Sequence, residues 1–133
     1  MKNKNILLAK KWIEKADKDL EIAELLLKEQ KRFLDSVCFH IQQAFEKYLK
    51  SILVCNGVFP DKTHDLEKLL NQTLKYNMSL MKWIDVAREI TPFAVFPRYP
   101  DEVFDAPLST VKKLANKVKT FQLFVRDFIK DCK

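Results

Sequence analysis

One glycine, Gly57, stands among the 133 residues of this chain. Tight hairpin turns rely on residues that accept positive φ, so a hairpin-rich β fold is disfavoured from the outset. Phosphate loops and dinucleotide-binding turns need several glycines, for the turn itself and for close approach of backbone to phosphate. Walker-type and Rossmann-type nucleotide sites are excluded on the same ground. What remains is a chain built mainly of helices.

The length suits a single domain spanning 1–133, large enough to bury a core and too small for two ordinary ones. Hydrophobic residues make up 47% and charged residues 32%, a globular balance rather than a disordered one. The net charge is +6, carried mostly by lysine, since Arg32, Arg88, Arg98 and Arg126 are the only arginines. Such a balance favours an anionic partner such as RNA, a nucleotide or an acidic protein, with solvated lysines on helix faces as the alternative. No apolar run approaches the roughly 20 residues of a membrane span, and the amino end lacks a signal-peptide core. A cytoplasmic protein that does not enter the membrane is expected. Cys38, Cys55 and Cys132 are odd in number and show no CxxC spacing, so neither a disulfide framework nor a zinc site is predicted. Cys38 and Cys55 read as small core residues.

Apolar periodicity predicts helices along nearly the whole chain. The first covers Ile6 to Glu29, with Trp12, Ala16, Leu20, Ala23 and Leu27 repeating every three or four residues and Asp17, Glu21 and Glu24 on the outer side. The link Gln30-Lys31-Arg32 leads to a second helix, Phe33 to Cys55, closed by Asn56-Gly57 and Pro60. So short a link makes the first two helices antiparallel neighbours. A third helix starts at Thr63, whose hydroxyl caps the free amides, and turns Leu66, Leu69, Leu70 and Leu74 inward. A fourth runs from Ser79 to Ile90. Residues Thr91 to Ala106 hold Pro92, Pro97 and Pro100 and cannot form a long helix, yet Phe93, Val95, Phe96, Tyr99, Val103 and Phe104 make them too apolar for a solvated linker. That connection is expected to pack across one end of the bundle and to hold Arg98 in place. The last helix, from Pro107 or Ser109 to Ile129, points Val111, Leu114, Val118, Phe121, Val125 and Phe128 inward.

The second helix is the place to look for function. Between Cys38 and Lys50 it is apolar around most of its circumference, yet His40, Gln43 and Lys47 fall within about 60° of one another on the border of the apolar face. Polar groups beside a buried face must be paired or put to use. Cys38 and His40 point apart on a helix, which rules out a thiol–imidazole pair. The two histidines are far apart and lack HExxH or paired-carboxylate spacing, so no metal is expected, and no other cofactor is implied. No nucleophile motif of the GxSxG kind is present.

Three blocks, in order, resemble the HEPN family. Cys38-Phe39-His40-Ile41-Gln42-Gln43-Ala44-Phe45-Glu46-Lys47-Tyr48-Leu49-Lys50 is similar to the family's central helix, Thr63-His64-Asp65-Leu66 to its Thr-His-Asp-Leu helix start, and Arg98-Tyr99-Pro100 to the Arg-Tyr-Pro before the last helix. Trp12, Ala16, Asp19, Leu20 and Ala23 fit as well, so the resemblance spans Lys10 to Ile129. It implies an all-α, up-down four-helix bundle with an additional short helix, commonly a homodimer. It implies a minimal nucleotidyltransferase as partner, often in a toxin–antitoxin pair, and a role in binding nucleotide or nucleic acid. One branch of the family consists of metal-independent ribonucleases with Arg, four to six residues, then His. Here seven residues separate Arg32 from His40, and no Arg-x(4–6)-His occurs, so no catalytic residue is assigned.

On this reading His40, Gln43, Lys47, His64, Arg98 and Tyr99 form a nucleotide-binding site. The amide reads a base edge, the lysine and the helix amino end near His64 attract phosphate, Arg98 closes the site and Tyr99 stacks on a base. Each residue also has a structural alternative. His40 is a buried histidine bonded to a backbone carbonyl; Gln42 and Gln43 make interhelix hydrogen bonds; Lys47 pairs with Glu46 or another acid; His64 and Asp65 form a helix start; Arg98 pairs with Asp65 or Glu46. Two further functions stay open beside the binding module, a ribonuclease with a non-standard active site and a purely structural or antitoxin-like interaction protein.

Overall fold

A computed structural model of the chain describes residues 2–95 and 106–132. The expectations for Arg98 and Tyr99 lie outside the described residues, as does most of the proline-rich connection. Among the described residues the regular structure is entirely helical: α1 Lys2–Leu27, α2 Leu34–Cys55, α3 Leu66–Thr73, α4 Ile84–Ile90 and α5 Leu108–Lys130, with 3-10 turns at Gln30–Phe33, Met78–Trp83 and Thr91–Val95.

Side-chain pairings give the topology directly. Asp19 meets His40, Trp12 lies beside Lys50, and Gly57 lies against Asn5, so α1 and α2 run antiparallel. Glu24 pairs with Lys119 and Asp17 with Arg126, so α5 is antiparallel to α1. Phe45 stacks on Phe121 and Cys55 meets Cys132, so α5 is parallel to α2. The 3-10 turn at Met78–Trp83 continues into α4 as the fourth wall, and α3 is the additional short helix. The expected up-down bundle is the observed one.

Helix α2 is the central rod, in contact with α1, α3, α4 and α5. Its buried set includes Val37, Ile41, Ala44, Phe45, Tyr48 and Ile52. Ala9, Ala16 and Ala23 of α1 are fully buried, and these small residues let the two backbones approach. At the other side Phe121 of α5 stacks on Phe45 at 4.5 Å and meets the edges of Trp83 at 4.9 Å and Tyr48 at 6.2 Å. The one glycine ends α2 in a Schellman motif. Gly57 takes φ +78°, its N–H donates to Val54 and that of Val58 to Leu53. Gln30 reaches φ +59° after α1 without the help of a glycine.

Several boundaries differ from expectation. Helix α1 begins at Lys2 rather than Ile6 and ends at Leu27 rather than Glu29. Helix α3 begins at Leu66, and its cap is Asp65, whose carboxylate accepts the N–H of Lys68 at 3.2 Å. Thr63 does not cap the helix; its hydroxyl accepts the N–H of Asp65 and sets up the turn before it. Thr91 accepts the N–H of Leu66 and donates to the carbonyl of Ala87, which ties the start of α3 to the end of α4. Of the expected helix from Ser79, only Ile84–Ile90 is α-helical, because the Asn77 side chain accepts the N–H of Ser79 and opens a 3-10 turn first.

Phe121→Ala empties the ring cluster at the meeting point of α2, α5 and the 3-10 turn that ends at Trp83. The expected cost is about 3–5 kcal/mol, read as a lower midpoint in urea denaturation, whereas Leu123→Ala on the exposed face of α5 should change stability by under about 0.5 kcal/mol.

Candidate functional site

Two carboxylates organise the polar flank of α2. Asp19 lies on the border of the inward face of α1 and is buried, beside Ala16, Leu20 and Ala23. It accepts Nδ1 of His40 at 2.8 Å on one oxygen and Nζ of Lys47 at 2.5 Å on the other. Glu46, only 3% exposed, accepts Nε2 of Gln42 at 3.0 Å, Nζ of Lys50 at 2.9 Å and Nδ1 of His64 at 2.7 Å. Gln43 donates through Nε2 to the side-chain Oε1 of Gln42 at 2.7 Å and so joins the Glu46 group. Four of the six expected site residues are therefore held by hydrogen bonds in two groups, His40 and Lys47 around Asp19 and Gln43 and His64 around Glu46. The two carboxylates form two similar units, each a carboxylate with one lysine and one imidazole.

The alternatives posed from the sequence resolve individually. Among the described residues His40 is bonded to a carboxylate and not to a backbone carbonyl. Lys47 pairs with Asp19 across the helix seam rather than with its neighbour Glu46. Among the described residues Gln42 and Gln43 do not bridge helices, since both amide contacts stay within α2. His64 does not reach free amides at the start of α3; it turns back to Glu46 and leaves Asp65 to cap. Its ring is 64% exposed, against 25% for His40. In both rings Nδ1 faces the carboxylate, so Nε2 is the nitrogen left for a ligand, and the carboxylate fixes ring orientation and tautomer.

Asp19, Gln42, Glu46 and Lys50 join the site although the sequence reading does not place them there. A signal for each is present. Asp19 falls within one helical step of Ala23 on the apolar side of α1, and Gln42, Glu46 and Lys50 follow one another at four-residue spacing on α2. Asp17, expected on the outer side of α1, is instead engaged by its neighbours. It accepts the Tyr48 hydroxyl at 2.6 Å, the Gln122 amide at 2.8 Å and the Arg126 guanidinium at 3.0 Å, because α5 covers that flank. Burial and then the bond to Asp17 push the Tyr48 phenol far above its ordinary range, so it remains a hydrogen-bond donor. Cys38 is fully buried, and burial followed by the nearby Asp35 charge pushes its thiol up to about 12, which makes it inert. Among the described residues no group of His, Cys, Asp and Glu is arranged to hold a metal ion. No described helix is long and apolar enough to cross a membrane.

The geometry defines a class, an all-helical bundle whose central helix carries a carboxylate-anchored strip of imidazole, amide and ammonium groups. The family model for the HEPN domain matches residues 9–129, and the chain belongs to that family. It is similar to "Putative toxin MJ1304" from Methanocaldococcus jannaschii, with 32% identity over 107 residues that cover 75% of this chain and 68% of the relative. Its fold is similar to the crystal structure of TT1696 from Thermus thermophilus, with a TM-score of 0.69, 21% identity, and 94% of this chain and 98% of the other covered.

Glu46 gives the site a signature in acid. Burial works to raise its pKa, but the bonds from Lys50, His64 and Gln42, with the Lys50 charge, outweigh burial and hold it below the ordinary 4.5. A carboxyl depressed in the folded state contributes stability that is complete above its unfolded pKa and is lost as pH falls through the folded one. Glu46→Gln should cost about 1–3 kcal/mol at neutral pH and flatten the fall of the thermal midpoint below about pH 4.5. An acid profile as steep as that of the unmodified protein would show that Glu46 carries no such linkage.

Proposed function

We propose that this chain is the HEPN subunit of a toxin–antitoxin-type pair, acting as a homodimer with a minimal nucleotidyltransferase partner and binding nucleotide or RNA through the strip on α2. Family membership over residues 9–129 supports the two-component setting, as does likeness to a relative named as a toxin. The observation that carries the binding role is the anchoring itself. Asp19 and Glu46 hold His40, Lys47, Lys50 and His64 in fixed positions while the imidazole Nε2 atoms stay unbonded among the described residues. Fixed cationic and hydrogen-bonding groups suit a phosphate better than mobile ones, because less side-chain entropy is lost on binding. Arg98 and Tyr99 complete the proposed site, one as a guanidinium clamp and the other as a stacking ring.

Expression of the chain alone should slow growth of a host, and co-expression with a minimal nucleotidyltransferase from the same source organism should restore it. Calorimetric titration with ATP at low salt should give weak binding that His64→Ala reduces severalfold, since His64 is exposed and Glu46 retains Lys50 and Gln42 without it. No heat with ATP or short RNA, together with growth unaffected by the chain, would remove the proposal.

A second reading, a metal-independent ribonuclease with a non-standard active site, draws on one specific feature. An imidazole that donates through Nδ1 to a buried carboxylate is oriented to exchange a proton at Nε2, the arrangement a general base requires. RNA cleavage in the presence of EDTA, abolished by His40→Ala in a protein that still unfolds cooperatively, is the expected outcome. Intact RNA after prolonged incubation would exclude it.

A further inference from the structure

Beyond the strip, toward the end of α2, lies a cleft of about 490 Å³ between α1, α2 and the connection that follows Gly57. Its apolar surface comes from Trp12, Val54 and Phe59, with Leu8 and Pro60 beside them. Phe59 is 91% exposed, an unusual state for a phenylalanine held between Val58 and Pro60 rather than at a chain end. Around these groups stand Lys11, Lys15, Lys47, Lys50 and Lys62.

The five ammonium groups are not equivalent. Lys47 is answered by Asp19 and Lys50 by Glu46. The one acid in the lining, Asp61, is engaged by Lys68 at 3.5 Å and by the Gln72 amide at 3.1 Å. Lys11, Lys15 and Lys62 make no ion pair among the described residues, which leaves three uncompensated cations around an apolar slot. Lys50 also sits 5.5 Å from the centre of the Trp12 ring and fixes one wall.

The lining has a second property that selects among anions. No side-chain amide or hydroxyl belongs to it and its one carboxylate, Asp61, is engaged, so a nucleobase lodged between Trp12 and Phe59 would find lysine donors for its ring acceptors but no free side-chain acceptor for its amino and imino donors. A phenylalanine or branched aliphatic side chain has no such edge, and an indole has a single N–H. Carboxylates flanking it would meet the free lysines at the rim.

We propose that this cleft is a docking site for a segment of a partner protein, an acidic stretch that inserts one aromatic or branched aliphatic side chain between Trp12 and Phe59 and sets its carboxylates on Lys11, Lys15 and Lys62. The inference uses from the two-component reading only that a protein partner exists, and it does not depend on nucleotide binding at the strip. Lys11 and Lys15 are exposed on α1 and Phe59 protrudes, so substitutions there leave the core untouched.

The test uses the whole chain and two fluorescein-labelled peptides of equal charge, one with a tryptophan between pairs of aspartate and glutamate, the other with glycine in its place. Fluorescence anisotropy should show salt-sensitive binding of the tryptophan peptide and at least about tenfold weaker binding of the glycine peptide. The double change Lys11→Glu with Lys15→Glu, and Phe59→Ala alone, should each weaken the tryptophan peptide about tenfold with unchanged thermal unfolding. Absence of binding at millimolar peptide overturns the proposal, as does equal binding of the two peptides. Tighter binding of ATP or oligouridylate that depends on Lys11, Lys15 and Phe59 also overturns it and assigns the cleft to a nucleotide. The peptide probe reads this cleft alone, so its failure is distinct from failure of the growth assay.

Discussion

Three carboxylates sit in the seams around α2, and the arrangement of the bundle follows from how each is answered. Asp19 crosses from α1 to His40 and Lys47, Asp17 gathers Tyr48, Gln122 and Arg126, and Glu46 gathers Gln42, Lys50 and His64. A carboxylate withdrawn from water costs several kcal/mol unless donors replace the lost hydration. Pairs of this kind contribute little net stability, because desolvation offsets most of the attraction. Their structural consequence is register. A slide of α1 against α2 by one turn, about 5.4 Å, would still bury alanine and leucine, but it would break the bonds that Asp19 makes to His40 and Lys47. The aliphatic core makes the bundle compact, and the acids select one alignment of its helices.

That division explains which parts of the molecule can be read from sequence. Helix number, the long helices and their inward seams follow from apolar spacing, and the end of α2 follows from Asn56-Gly57, because these are local properties of the chain. The start of α3 falls at Asp65 and not at the expected Thr63, since two nearby residues both offer a capping oxygen and the preference between them depends on Thr91, distant in sequence. Asp17 departs from the expected outer side for a similar reason: its three donors come from α2 and α5. Periodicity within one helix shows a border position but not what covers it.

The polar strip is half legible. His40, Gln43 and Lys47 share a flank by helical geometry alone, and His64 enters through family resemblance. The two acids that hold them escape a sequence reading because Asp and Glu on an amphipathic helix ordinarily face water, and only the approach of a second element turns them into anchors. Arg98 and Tyr99 belong to the proline-rich connection, where no periodic pattern constrains position.

The distinction between answered and unanswered lysines also separates the two surfaces that meet at Lys47 and Lys50. Lysines bonded to buried carboxylates are fixed in place but largely neutralised, so they offer direction to a ligand with little added attraction. Lys11, Lys15 and Lys62 are exposed and make no ion pair among the described residues, so they draw an anion in without specifying its geometry. A ligand on the strip is thus selected by hydrogen bonds from imidazole and amide groups, whereas an occupant of the cleft is selected by an apolar slot within a diffuse positive field. One +6 chain can in this way present an ordered polar surface and an electrostatic docking surface side by side on the same pair of helices, because Asp19 and Glu46 neutralise charge on one side of the boundary and no described acid does so on the other.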